Sequence, residues 1–136
     1  MIKQIEIMLP VFNRGFHIIT DVIYNKLGNL PEQGVLNIFI KHTSAAITIN
    51  ENADPSVPYD FENFMNKLIP DGDNIFTHTL EGDDDMAAHI KSSCIGQSVT
   101  IPITNKKLNL GTWQGIYLCE FRNHGGNRKL VITIYH

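Results

Sequence analysis

Six stretches of this chain carry the composition or the two-residue alternation of β-strands, and they are spread along its whole length rather than gathered in one half. Lys3 to Leu9 sets Ile5, Ile7 and Leu9 on one side, the pattern of a strand with one buried face. GVLNIFIK (34–41), SAAITINE (44–51), SVTIPIT (98–104), GIYLCEF (115–121) and KLVITIY (129–135) are rich in the β-branched and aromatic residues that suit a pleated, half-buried surface. Turn residues punctuate them at Asn13-Arg14-Gly15, Asn105-Lys106-Lys107 and His124-Gly125-Gly126-Asn127. The two strands flanking the last turn are predicted to pair as a hairpin.

Three helices fall between the strands. Thr20 is an N-cap candidate for a helix with Ile23, Leu27 and Leu30 on one face, closed by Gly28-Asn29 and Pro31. Asp54-Pro55 starts a second, whose apolar stripe is Phe61, Phe64, Met65 and Leu68 and whose stop is Pro70-Asp71-Gly72-Asp73. EGDDDMAAHIKSSCIG reads as a loop feeding a third helix, with acids at its positive dipole end and Gly96 at its exit. No repeat, linker or low-complexity segment interrupts this order. The expectation is one α+β domain over residues 1–136, built on mostly antiparallel, sandwich-like sheets with a few helices.

A hydrophobic share of 43% with 18% charged residues suffices for a core without disulfides. Cys94 and Cys119 lie in apolar stretches without a Cys or His neighbour at ligand spacing, so both are expected as buried thiols in a reducing, cytoplasmic compartment. The N-terminal alternation is that of a strand rather than a signal peptide, and no apolar run reaches a membrane span. A net charge of -3 without a Lys/Arg stripe argues against nucleic acid and anionic lipid as partners. GxGxxG, GxxxxGK and GxSxG are all missing, so no nucleotide cofactor is expected and the usual α/β-hydrolase reading falls away.

Six histidines stand out in a chain of 136 residues, and four of them lie beside turns or acids. His42 opens HTSAA, where an imidazole and the hydroxyls of Thr43 and Ser44 meet an exposed strand junction; the same hydroxyls also serve simply to satisfy a turn. His78 and His89 flank EGDDD, and Asp85 is one helical turn before His89, a set able to converge on a divalent cation. This spacing lacks the specificity of HExxH, and a solvated histidine beside an acidic helix start looks the same. In LGTWQGIYLCEFR, Trp113 and Gln114 offer a stacking wall with an amide, although an aromatic residue at a strand more often packs in the core. Arg122 and Arg128, on either side of the expected hairpin turn, are placed to pinch a phosphate. His17, His124 and His136 are read as solvated or structural.

Taken together, HTSAAITINENADPSVPYDFENFMNKLIP, a following histidine, EGDDDMAAHIKSSCIG, LGTWQGIYLCEFR and the final arginine strand resemble the YjbQ-like family, also called the secondary thiamine-phosphate synthase family, across nearly the whole chain. The resemblance implies a homotrimer and a site lined by His42, Thr43, Ser44, Asn50, His78, Asp85, His89, Trp113, Glu120 and Arg128. It implies a transferase that condenses hydroxymethylpyrimidine diphosphate with thiazole phosphate and releases pyrophosphate. Under that reading His42, His78 and His89 bind a divalent metal (Zn, Mn or Mg), and Asp85, His89, Glu120 and Arg128 carry the chemistry. Thr43, Ser44, Asn50, Trp113 and Gln114 hold the small phosphorylated substrate. A metal-dependent phosphate-ester hydrolase and a non-catalytic trimer that binds a metal or anion are the alternatives.

Overall fold

The computed structural model describes residues 1–136. Two antiparallel sheets form it. The larger has the order β1 (Ile2–Met8), β8 (Lys129–Tyr135), β3 (Gln33–Ile40), β5 (Ser98–Thr104), β6 (Lys107–Leu108). The smaller has the order β2 (Gly15–Ile18), β7 (Gln114–Glu120), β4 (Ala45–Glu51). Three helices complete the chain: α1 (Thr20–Leu27), α2 (Ser56–Leu68) and α3 (Asp83–Ile95).

Alternation along the strands sets the layers. Leu36, Ile38 and Ile40 of β3 and Leu130, Ile132 and Ile134 of β8 face Ala45 and Ile47 of β4 and Ile116 and Leu118 of β7, with Ile23 and Leu27 of α1 joining this core. The intervening residues of the small sheet, Ala46, Tyr117 and Cys119, face the other way and pack with Met65 of α2 and Ala88 of α3. The small sheet is thus the middle layer. Its central strand β7 is buried on both faces from Gly115 to Glu120, which is why that segment reads as a nearly continuous apolar run.

The predicted strands are all present, and two are additions too short to show a period: β2, and β6 at the edge of the expected Asn105-Lys106-Lys107 turn. The hairpin expectation is corrected: β7 pairs with β2 and β4, whereas β8 inserts between β1 and β3. The turn at 124–127 therefore carries the chain from one sheet to the other. Thr20 begins α1 but does not cap it; its hydroxyl accepts the Ile116 N–H at 2.9 Å, pinning the helix to β7. Asp54 does act at the start of α2, its carboxylate accepting the Ser56 N–H at 2.9 Å. Of the expected stripe on α2 only Met65 is fully buried, while Phe64 and Leu68 are mostly exposed. Cys119 is buried as expected, but Cys94 is exposed near the end of α3. No helix is long and apolar enough to cross a membrane.

Candidate metal centre

The acidic first turn of α3 does two jobs. Asp83, Asp84 and Asp85 all sit where the helix dipole favours negative charge, and Asp85 is turned inward, 1% exposed. His89, one turn later on the same face, brings Nε2 to 3.1 Å from Asp85 Oδ2. His78 reaches the same oxygen from the preceding loop, its Nε2 at 2.6 Å. The other carboxylate oxygen is held by Arg122 Nη1, from the segment that follows β7. Arg122 also binds Asp84 through Nε at 2.9 Å and donates to the Glu81 carbonyl. Burial alone would raise the Asp85 carboxyl; the hydrogen bond from His78 and the charges of His89 and Arg122 outweigh it and hold the group below its ordinary value.

The protons on His89 are fixed by its neighbours. A carbonyl can only accept, so Nδ1, 2.9 Å from the Thr43 carbonyl, must carry a hydrogen. Nε2 then meets the Asp85 oxygen as a second donor only if the ring is doubly protonated. A divalent cation in place of the Nε2 protons would be held by His78 Nε2, His89 Nε2 and Asp85 Oδ2, and the Thr43 carbonyl would then give His89 the outer support that metal-bound imidazoles commonly have. Ligand atoms of His78, Asp85 and His89 lie within 4.8 Å of one another. Two neutral imidazoles and one carboxylate suit zinc or manganese and leave further coordination positions for another ligand.

His42 does not join this trio. Its Nε2 accepts the Lys129 N–H at 2.8 Å, which leaves only Nδ1 for anything else. Burial, and then the nearby charge of Arg128, pushes its imidazole below the ordinary range. The acceptor role and the depressed basicity agree on a neutral ring.

Glu120 and Arg128 form a second, closed cluster. Arg128 Nε donates to Glu120 Oε1 at 2.7 Å and Nη2 to Oε2, while Nη2 also reaches the Ser44 hydroxyl at 3.0 Å. Glu120 is 0% exposed and Arg128 4%. Neither is open to a substrate as the sequence reading supposed, and Ser44 is committed to the same buried network. Nor do Arg122 and Arg128 pinch an anion between them: each guanidinium is already paired with carboxylates.

The expected substrate residues separate into two groups. Thr43 and Ser44 stand just before β4, beside Glu120, since Ala45 pairs with Glu120 in register. Asn50 pairs with Gly115, and Trp113 and Gln114 stand at that same opposite end of β7, roughly 20 Å away at about 3.3 Å per strand residue. All three are exposed, Trp113 at 64%, so the expectation that Trp113 packs in the core is not met.

Beside His89 the end of β3 and one face of α3 enclose an open groove of about 710 Å³, into which His42, Thr43, Phe39 and Met86 project. Phe39 and Met86 were not singled out from the sequence; each looks like an ordinary apolar residue of its own element. A further unforeseen cluster holds α3 in place. The fully buried Lys91 donates to Asn66 Oδ1 at 2.7 Å, and Arg14 donates to the same oxygen at 2.7 Å while gripping Asp71. Arg14 also reaches Asn123, whose N–H donates to Asp84, so this hub is continuous with the carboxylates of the centre.

Known proteins align with the chain over almost its full length. The model of the family described as "UPF0047 protein YjbQ-like" matches residues 5–136. UPF0047 protein YjbQ of Salmonella typhimurium is 50% identical over 133 residues, and that of Escherichia coli O157:H7 is 44% identical over 133; each alignment covers 96% of both chains. Among solved structures, a YjbQ/UPF0047 family protein of Clostridium acetobutylicum superimposes with a TM-score of 0.81 at 40% identity, covering 96% of this chain and 98% of that one. A YbjQ-like protein of unknown function from Sulfolobus solfataricus gives 0.83 at 25% identity, covering 98% and 96%.

Proposed function

The chain belongs to the UPF0047 YjbQ-like family, and on that premise we propose that it is a divalent-metal-dependent enzyme acting on a small phosphorylated molecule, with the thiamine-phosphate synthase-like condensation as its reaction. The observation that carries this reading is the convergence of His78 Nε2 and His89 Nε2 on one oxygen of the buried Asp85. When bound, a divalent cation supplies polarisation of phosphoryl oxygens and charge stabilisation of a departing phosphate group. The chain's own residues do the rest. Arg122 fixes the Asp85 carboxylate, the Thr43 carbonyl orients His89, and the buried Glu120–Arg128 pair holds the strand ends that frame the groove. His42 Nδ1 and the Thr43 hydroxyl are available to the substrate.

Ester hydrolysis is the second reading, and one observation favours it: Trp113, Gln114 and Asn50, expected among the residues that hold the substrate, are remote from the metal cluster within one chain. Condensation therefore requires the homotrimer, in which we place the exposed Trp113 of one copy against the groove of the next. Light scattering on the eluting protein tests the assembly, and a monomer at working concentration counts against it.

Elemental analysis of wild type, His78→Ala and His89→Ala, each checked for native folding, tests the centre. About one metal per chain in wild type, lost from both variants, is the expected outcome. Thiamine phosphate formation against phosphate release from p-nitrophenyl phosphate then separates the two reactions, and metal binding with neither turnover would leave a non-catalytic binder. A wild type that takes up no zinc or manganese on dialysis ends the metal reading.

A further inference from the structure

From the groove beside His89 we infer the kind of molecule the centre receives: a monophosphate or similar anion attached to a flat apolar body, with Phe39 and Met86 as the residues that read the body. This rests on the metal reading for its anionic end only. The volume of about 710 Å³ is that of a small-molecule site and far exceeds what a free inorganic anion occupies.

Charge is distributed unevenly for a chain with 14 acidic residues. No Asp or Glu lines the groove, whereas Lys41, His42 and His89 do. Lys41 is paired with Glu6 at 3.1 Å, but both side chains are about half exposed, and a pair of that kind yields readily to a competing anion. The groove thus favours negative charge near the histidines.

The apolar part of its lining is Phe39, Ile40, Ala45 and Met86, beside polar residues, Ser92 and Gln97 among them. Phe39 alternates with the inward-facing Ile38 and Ile40 of β3, so its ring stands on the outer face of the strand, 44% exposed. Met86 lines the same groove from α3. An aromatic face beside a flexible thioether gains most by covering a flat ring. His89 belongs both to the cluster and to the groove lining, and Met86 lies one helical turn before it on α3, so an anion held at the cluster extends its body along this wall.

The test compares phenyl phosphate with inorganic phosphate by calorimetric titration into the zinc-treated full-length protein, with zinc content measured on the same samples. Phenyl phosphate is expected to bind on the order of tenfold tighter or better, the gain from covering part of an aryl face. Phe39→Ala and Met86→Ala should each bring that ratio down toward one, and Phe39→Tyr, which keeps the flat face, should restore it. Equal binding of the two ligands, a ratio unmoved by both alanine variants, or no detectable phenyl phosphate binding at millimolar concentration overturns the inference. A ratio that depends on Phe39 in protein that takes up no zinc upholds the groove assignment and discards the metal centre alone.

Discussion

Gly125 lies against the carboxylate of Glu120 so closely that a β-carbon at position 125 would fall 2.1 Å from Oε1. The glycine of the NHGGNR turn is thus required by what lies beneath it. Gly125→Ala is expected to lower stability by about 1–3 kcal/mol, the usual cost of overpacking, because either the turn or the buried ion pair must shift. Urea denaturation of the variant checks this; an unchanged midpoint would mean the turn lifts freely.

The pair under that turn should be far costlier to break than to replace. Arg128→Met leaves the Glu120 carboxylate buried without its partner and is expected to cost about 3–5 kcal/mol. The double variant Glu120→Gln with Arg128→Met should recover much of that loss in the same denaturation experiment. Additive losses in the double variant would show that the two residues are not coupled.

Arg122 is a positioning residue for the proposed metal cluster: it holds the ligand Asp85 by the carboxylate oxygen that the histidines leave, and Asp84 beside it, and offers no ligand atom of its own. Arg122→Gln should weaken zinc binding about 10–100-fold, the range typical of outer-shell partners, while His78 and His89 stay in place. Competition with a chromogenic chelator reads the affinity. Against burial, the Asn123 N–H and Arg122 hold the Asp84 carboxyl below its ordinary value, and His78, His89 and Arg122 do the same for the ligand Asp85; without Arg122 both rise, so the variant should lose metal at a higher pH than wild type.

His42 gives the fold its own pH dependence. Its folded value is held below the ordinary 6.5, so the unfolded chain takes up the proton first as pH falls. The stability contributed by neutral His42 is therefore complete above about 6.5 and declines below it, as the Lys129 N–H loses its acceptor. Thermal melts of wild type and His42→Gln between neutral and mildly acidic pH should converge on the acid side. A constant difference would assign His42 no titrating role.

Thiol chemistry distinguishes the two cysteines. Burial pushes the Cys119 thiol far up, and its side chain is enclosed between β7 and the helices, whereas Cys94 is open to solvent. A native-state disulfide reagent should modify one thiol per chain, at Cys94, and two only after denaturation. Two rapid modifications in the native protein would contradict the layer assignment.

Much of the local structure was legible because it is written in short-range chemistry. Strands β1, β5 and β8 follow from alternation, α2 from the Asp54 cap and α3 from its acids and Gly96. Pairing was not legible: GIYLCEF and KLVITIY both read as strands, and a turn rich in glycine joins a hairpin or crosses between sheets with the same residues. That single error set Arg122 and Arg128 facing one ligand, whereas Arg122 meets Asp84 and Asp85 of α3 and Arg128 is closed on Glu120. Asp85, His78 and His89 were correctly grouped because a helical turn and one loop bring them together. Trp113 and Asn50 were grouped with them on the strength of resemblance, and the register of β4 against β7 separates them. Cys94 was misjudged because the apolar letters around it belong to a helix, whose faces alternate too slowly for composition to reveal.

The position of β8 between β1 and β3 has a consequence for synthesis on the ribosome. In its sheet β1 has no partner except β8, and residues 9–128 lie between the two in the sequence, so β1 waits as an open edge until all the intervening elements and β8 have been made. Such an edge invites pairing with other nascent chains. Yield in the cell should therefore respond to trigger-factor-like holding of the N-terminal segment, and a stop codon within residues 129–135 should give aggregated rather than merely less active product.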